Sequence, residues 1–177
     1  WGWDIPITSF LRRKGVDTSL LPDAETLNKI RQLSSRHNAL NVLSSLRKDL
    51  PDVTCGEMRI ATSVDEVTLL CTFFGESVIK SPWSSSGRGV RFVSGEMDAS
   101  ILPWVRKTIE TQGSVMIERK ENKIADFAME FTSDGKGNIE YEGLSIFSTN
   151  GTAYSGNLLM PEETKVEHLQ KWLNKDL

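Results

Sequence analysis

At Gly113 the hydrophobic period of this chain changes, and the change limits what the chain can fold into. Before it, apolar side chains recur mostly at helical spacing: Leu27, Ile30 and Leu33, then Ala39, Leu40, Leu43, Leu46 and Leu50, then Ile101, Leu102, Val105 and Ile109. From Ser114 they alternate, at Val115 and Ile117, at Phe127, Met129 and Phe131, and from Ile139 and Tyr141 on to Phe147. A helix returns to the same face after about 3.6 residues and a strand after two, so the two blocks demand different elements. Helices with a few strands, followed by successive strands of an antiparallel sheet, amount to an α+β organisation in two lobes with Gly113 as the seam.

Local signals place the element ends. The opening residues, with the pair Phe10-Leu11, lead to a break at Gly15; Asp23 then caps a helix, Ser35 is expected to cap a second, and Pro51 ends that one. Met58 to Thr62 is predicted as a short strand, and Asp65-Glu66 open a helix through Phe74. A helix is expected over Asp98 to Gln112, with Pro103 in its first turns and Gly113 as its C-cap. Asp134 to Asn138 supplies a hairpin turn, and Pro161-Glu162-Glu163 begin a last helix carrying Val166, Leu169 and Leu173.

Charge and composition exclude several classes of function. A formal net charge of -3 over 177 residues gives no general attraction for nucleic acid or an anionic membrane. The longest near-apolar run, Val67 to Phe74, is far too short to span a bilayer. The two cysteines, Cys55 and Cys71, lack metal-ligand spacing and read as free thiols of a cytoplasmic protein. His37 and His168 have no acid or cysteine at ligand spacing, so neither is expected to hold a metal. The tryptophans Trp1, Trp3, Trp104 and Trp172 are expected to be core and lobe-packing anchors, whereas Trp83 would pack beneath the adjoining loop and fix its base.

That loop is the feature closest to chemistry. Lys80 closes the apolar run Ser77-Val78-Ile79, and Ser84-Ser85-Ser86-Gly87-Arg88-Gly89 leads into a second β-prone run, Val90 to Val93. Such a loop can lay backbone N–H groups, hydroxyls and a guanidinium over an anion, with phosphate the natural candidate. It is not a P-loop, because Gly89 is followed by Val90 and Arg91 and not by lysine and a hydroxyl. Nor is it a protein-kinase glycine loop, which precedes its lysine strand and does not follow it. Plainer readings stand beside it: a hairpin connection, Lys80 as an edge-strand gatekeeper, and Glu118 as a solvated charge at a strand end.

The order strand-lysine, small-residue loop, strand resembles the ATP-grasp family. Ser114-Val115-Met116-Ile117-Glu118-Arg119 is similar to that family's strand leading to a hinge acid beside the adenine, and Glu118 falls 38 residues after Lys80. Asp126 is similar to a second acidic position, and Ser34-Ser35-Arg36 resembles a basic residue that opens an early helix and faces the phosphates. The resemblance implies an N-terminal segment over residues 1–34, a first ATP-grasp lobe over 35–112 and the beginning of the second over 113–177. It implies ATP binding by Arg36, Lys80, Ser84, Ser85, Ser86, Gly87, Arg88, Gly89, Glu118 and Asp126. The implied chemistry is activation of a small carboxylate as an acylphosphate for attack by an amine or thiol, with Mg2+ on the phosphates.

The family's Glu-x-Asn segment for Mg2+ does not occur after Asn157, and the first residue is Trp1 and not methionine. The resemblance therefore leads to the expectation of a fragment of a longer ligase, inactive alone, with its Mg2+ ligands outside this chain and an uncovered face that could pair in a homodimer. Two further readings of the same residues remain open. A non-catalytic nucleotide-binding module shares the cleft holding Lys80 and Glu118, whereas a protein-interaction domain would leave these two residues far apart.

Overall fold

The computed structural model describes residues 2–52, 54–85 and 87–173. It is a mixed α+β structure with two antiparallel sheets. The chain divides into two compact units: one runs to Ser84 and resumes over Gly89–Lys120, and the other comprises Ser85–Arg88 and the chain from Glu121 onward.

In the first unit, α1 (Ile5–Arg13), α2 (Ala24–Leu33) and α3 (Asn38–Asp49) precede β1 (Met58–Ala61), α4 (Val64–Phe74), β2 (Glu76–Lys80), β3 (Val90–Ser94), α5 (Leu102–Gln112) and β4 (Val115–Arg119). The sheet order is β1-β4-β2-β3, and every neighbouring pair is antiparallel. The core joins Val67, Cys71 and Phe74 of α4 and Val105 of α5 to Ala61, Ile79, Val93, Val115 and Ile117 of the four strands. Full burial stabilises each of the larger side chains here by about 1.5–3 kcal/mol.

Several boundaries follow the caps in the sequence. Asp23 accepts the Thr26 N–H at 2.7 Å at the start of α2, and Ser63 accepts the Glu66 N–H at 3.2 Å at the start of α4. Gly113 ends α5 at a φ of 84°, the left-handed conformation that favours glycine. Other boundaries differ. Asp98 organises a turn, receiving the Ser100 N–H at 2.7 Å, and α5 itself starts at Leu102. Ser35 does not cap α3: its hydroxyl accepts the His37 N–H in the preceding turn, and His37 occupies the cap position without a side-chain bond. The sequence reading missed α1, whose cap is Asp4 accepting the Ile7 N–H at 2.7 Å with a proline in the first turn.

The largest difference concerns β4. It does not join the strands that follow it but pairs with β1 and β2, so the break between units falls after Lys120 and not at Gly113. The reason lies in Val115, Met116 and Ile117, all buried to within 1% exposure. A strand buried on both faces belongs inside a covered sheet, and alternation read from Val115 and Ile117 alone overlooks Met116 between them.

In the second unit β5 (Asp126–Ser133), β6 (Ile139–Asn150) and β7 (Ala153–Asn157) form a meander, and α6 (Glu162–Leu173) packs on β6. A bulge between the Glu130–Gly143 and Phe131–Tyr141 pairs bends β6 and leaves Gly143 at a φ of 147°. Glu162 fastens α6 to this bend: its Oε1 accepts from the Tyr141 hydroxyl and the Leu144 N–H, both at 2.7 Å, and Lys165 Nζ lies 2.8 Å from its Oε2. Lys165 also donates to the Leu144 carbonyl at 2.5 Å. No helix among the described residues is long and apolar enough to cross a membrane.

Of the tryptophans, Trp104 packs against the first unit's core while Trp3 is exposed, so Trp3 is not the core anchor expected. Trp1 lies outside the described residues.

Candidate functional site

Lys80 is the last residue of β2, and Glu118 stands on the neighbouring β4. In the register Lys80 faces Met116 and Val78 faces Glu118, so the two charged residues are diagonal neighbours on one face of the sheet. Lys80 Nζ is 2.5 Å from Glu118 Oε2, with side-chain exposures of 29% and 21%. A half-buried ammonium thus sits where the strand ends and the loop begins. Its only ion-pair partner among the described residues is a carboxylate.

The loop's base is closed by the Ser81 N–H, which donates to the Gly89 carbonyl at 2.8 Å. Gly89 has no room for a side chain, since a Cβ there would collide with the Ser81 and Ser84 side chains. Arg36, in the turn before α3, braces this base from outside. Its guanidinium donates to the Ser81 carbonyl at 2.6 Å, to Ser84 Oγ at 2.7 Å and to the Ser84 carbonyl at 3.2 Å, and its own N–H donates to the Pro82 carbonyl. The resemblance implies a phosphate contact for Arg36; in the structure its planar fork is hydrogen-bonded to the loop.

Trp83 has the bracing position expected of it. Its N–H donates to Gln112 Oε1 at 3.0 Å and its indole Nε1–H to the Arg31 carbonyl at 2.8 Å. The Arg31 guanidinium lies 3.9 Å from the indole ring centroid, a cation–π contact. Elements before and after the loop therefore converge on its base: α2 through Arg31, the turn before α3 through Arg36, and α5 through Gln112. His37, also in that turn, pairs its Nε2 with Ser114 Oγ at 3.1 Å, a structural role that the sequence did not signal.

The rest of the loop, Ser85–Arg88, groups with the second unit. Gly87 has a φ of 71°, and a Cβ there would meet the backbone of Thr152. The Arg88 N–H donates to the Ser85 carbonyl at 3.3 Å. Ser86 lies outside the described residues.

Asp126 begins β5 in the second unit. Its Oδ2 accepts from Lys123 Nζ at 2.7 Å and from Thr149 Oγ1 at 2.9 Å, and Lys123 also donates to Thr149 Oγ1 at 2.7 Å. Lys123 reads in the sequence as part of a solvated turn, and Thr149 carries no sequence signal, yet the three form one polar cluster. Among the described residues no three His, Cys, Asp or Glu side chains converge to hold a metal ion, and no metal ligand is assigned.

No family model matches the sequence. No curated protein matches it in sequence either. Solved structures do resemble it in fold. One is the N5-carboxyaminoimidazole synthetase of Staphylococcus aureus complexed with ADP, with a TM-score of 0.55 and 14% identity, covering 81% of this chain and 36% of that one. Another is an N5-carboxyaminoimidazole ribonucleotide synthetase in its ADP complex, with a TM-score of 0.54 and 10% identity, covering 77% of this chain and 35% of that one. The fold of this chain is accordingly like that of these synthetases, of the ATP-grasp type. It spans about a third of the length of the neighbours it matches.

Proposed function

We propose that this chain is the nucleotide-binding part of an ATP-grasp enzyme that joins a carboxylate to an amine or thiol. The observation that carries the reading is the Lys80–Glu118 pair at the mouth of the braced Ser81–Gly89 loop. The ADP bound in both structural neighbours supports the same reading. An interaction domain, in which Lys80 and Glu118 would lie far apart, does not suit a separation of 2.5 Å.

In this proposal Lys80 supplies a point charge to the nucleotide phosphates, in competition with Glu118 for the same ammonium. Ser84, Ser85, Ser86, Gly87 and Gly89 supply hydroxyl and backbone N–H donors, Arg88 adds a guanidinium, and the glycines let the backbone approach closely. Arg36 contributes by holding the loop base in place. Glu118 accepts hydrogen bonds from the nucleoside side, and Asp126, held by Lys123 and Thr149, is the second acid. Mg2+ accompanies the phosphates on ligands beyond those described. The reaction of the whole protein would move the γ-phosphoryl group of ATP to a carboxylate oxygen, releasing ADP; the amine or thiol then displaces phosphate from the acylphosphate. That activity, in the cytoplasm, belongs to the proposal.

Calorimetric titration of ATP and ADP, each with Mg2+, into this chain and its Lys80→Ala variant tests the reading. Saturable heat that the variant loses is the expected result. Absence of heat from the unaltered chain at millimolar nucleotide would return the loop to the role of a connection.

A further inference from the structure

A cavity of about 590 Å³ lies within the first unit between α1, α2 and Trp83, in the size range of small-molecule sites. Its walls are mostly apolar, from Trp3, Ile5, Pro6, Leu27, Ile30 and Trp83. Three polar residues of α1 and its cap, Asp4, Thr8 and Arg12, also line it; they are spaced four apart and so share one side of that helix.

Thr8 is the informative member. It is 2% exposed, and its Oγ1 has no hydrogen-bond partner among the described residues. Four other helical threonines, Thr68, Thr72, Thr108 and Thr111, turn their hydroxyls back to the carbonyl four residues earlier at 2.7–3.0 Å. Thr8 lines the cavity but forgoes that bond, so its buried hydroxyl keeps an unspent hydrogen bond that an oxygen reaching this wall would satisfy. Charge gives the ligand's sign. Arg12 and Arg31 are among the lining residues, against the single carboxylate of Asp4, which already caps α1 through the Ile7 N–H. Arg31 is stacked on Trp83, whereas the Arg12 guanidinium has no side-chain partner among the described residues.

We infer that this cavity binds a small organic acid, its carboxylate held by the Arg12 guanidinium and the Thr8 hydroxyl and its carbon body packed against Leu27, Ile30 and Trp83. Trp83 is common to this cavity and to the base of the glycine loop, so an occupant touches the loop's support from the side of α1 and α2. The site does not depend on the nucleotide reading.

The probes are octanoate, with a matching carbon body and a carboxylate, and 1-octanol, without the charge. Each is titrated into the 15N-labelled chain while the Trp83 indole and the Thr8 and Arg12 amide signals are followed. Octanoate is expected to saturate shifts at all three, with a Kd lower than that of 1-octanol by about tenfold, the contribution of one charge-assisted contact. Arg12→Gln removes that difference. Thr8→Val, which keeps the shape and deletes the hydroxyl, weakens octanoate by about threefold without lowering the melting temperature. Equal affinity for the two probes, shifts confined to other residues, or no saturable shift at Trp83 would overturn the inference. Titration of ATP into Lys80→Ala reports on the nucleotide reading separately, so either can fail alone.

Discussion

Lys80 Nζ and Glu118 Oε2 meet at 2.5 Å across two hydrogen-bonded antiparallel strands, each side chain less than a third exposed. Removing one partner leaves the other's charge partly buried and unanswered. Lys80→Ala and Glu118→Ala are each expected to cost about 1 kcal/mol in the absence of nucleotide, with the double variant costing less than the sum. Urea unfolding of the four proteins measures this. With nucleotide, Lys80→Ala is expected to lose at least about tenfold in affinity.

Arg36 predicts a different signature. Lysine at this position keeps the charge but cannot reproduce a fork reaching both Ser81 and Ser84. Arg36→Lys is expected to destabilise the first unit by about 1–2 kcal/mol and to speed amide exchange at Ser81 and Trp83. Hydrogen exchange read by mass spectrometry would show both, and unchanged protection there would remove the bracing role.

At the bulge in β6, Gly143 combines a φ of 147° with a Glu162 carboxylate oxygen 3.2 Å from where a Cβ would lie. Gly143→Ala is expected to cost about 1–3 kcal/mol, mainly from backbone strain. Thermal unfolding in the Glu162→Ala background separates the two causes, because only the contact is relieved there.

Hydrogen bonds from Lys165 and then Tyr141 hold the Glu162 carboxyl below its ordinary range, and the same contact raises the Tyr141 hydroxyl. A carboxylate with a depressed folded-state pKa contributes stability above its unfolded value, and that contribution fades as pH falls through the depressed one. The fastening of α6 to β6 is therefore expected to loosen on the acid side of the usual glutamate range and to be complete at neutral pH. Carbon-detected NMR titration of Glu162, together with an acid unfolding curve flattened by Glu162→Gln, checks the sign.

The two cysteines should differ in reactivity. Burial pushes the Cys71 thiol up, away from thiolate, whereas Cys55 is exposed. Mild alkylation at pH 8 is expected to label Cys55 alone, with Cys71 reacting only on unfolding; intact mass distinguishes the two.

Signals that act within a few residues were readable in the sequence, because their physics is local. Asp23, Gly113 and the Asp134–Asn138 turn act through bonds or dihedrals at their own positions. The start of α1 carries the same kind of local signal, Asp4 as the cap with Pro6 closely after it. Where β4 pairs was not readable, because its neighbours β1 and β2 are chosen by packing on α4 and α5 and not by anything inside Val115–Arg119. The site divides in the same way. Lys80 and the glycines stand out by residue type, whereas the fork of Arg36 on Ser84, 48 residues away, and the Lys123–Asp126–Thr149 cluster exist only once the chain is folded.

The strand order β1-β4-β2-β3 also has a kinetic consequence. Of the two inner strands of the first sheet, β4 is the last of all four strands to be synthesised, so until Val115–Arg119 is available β1 has no sheet partner and β2 with β3 is only a hairpin. A nascent chain that has emerged as far as α5 would carry Ile79, Val93 and Val67 without the strand that completes their cover. Because β4 closes pairings distant in sequence, folding of this unit should be slow beside a helical domain of equal length. Aggregation during synthesis, and rescue by chaperones, should accordingly depend most on substitutions in those five residues of β4.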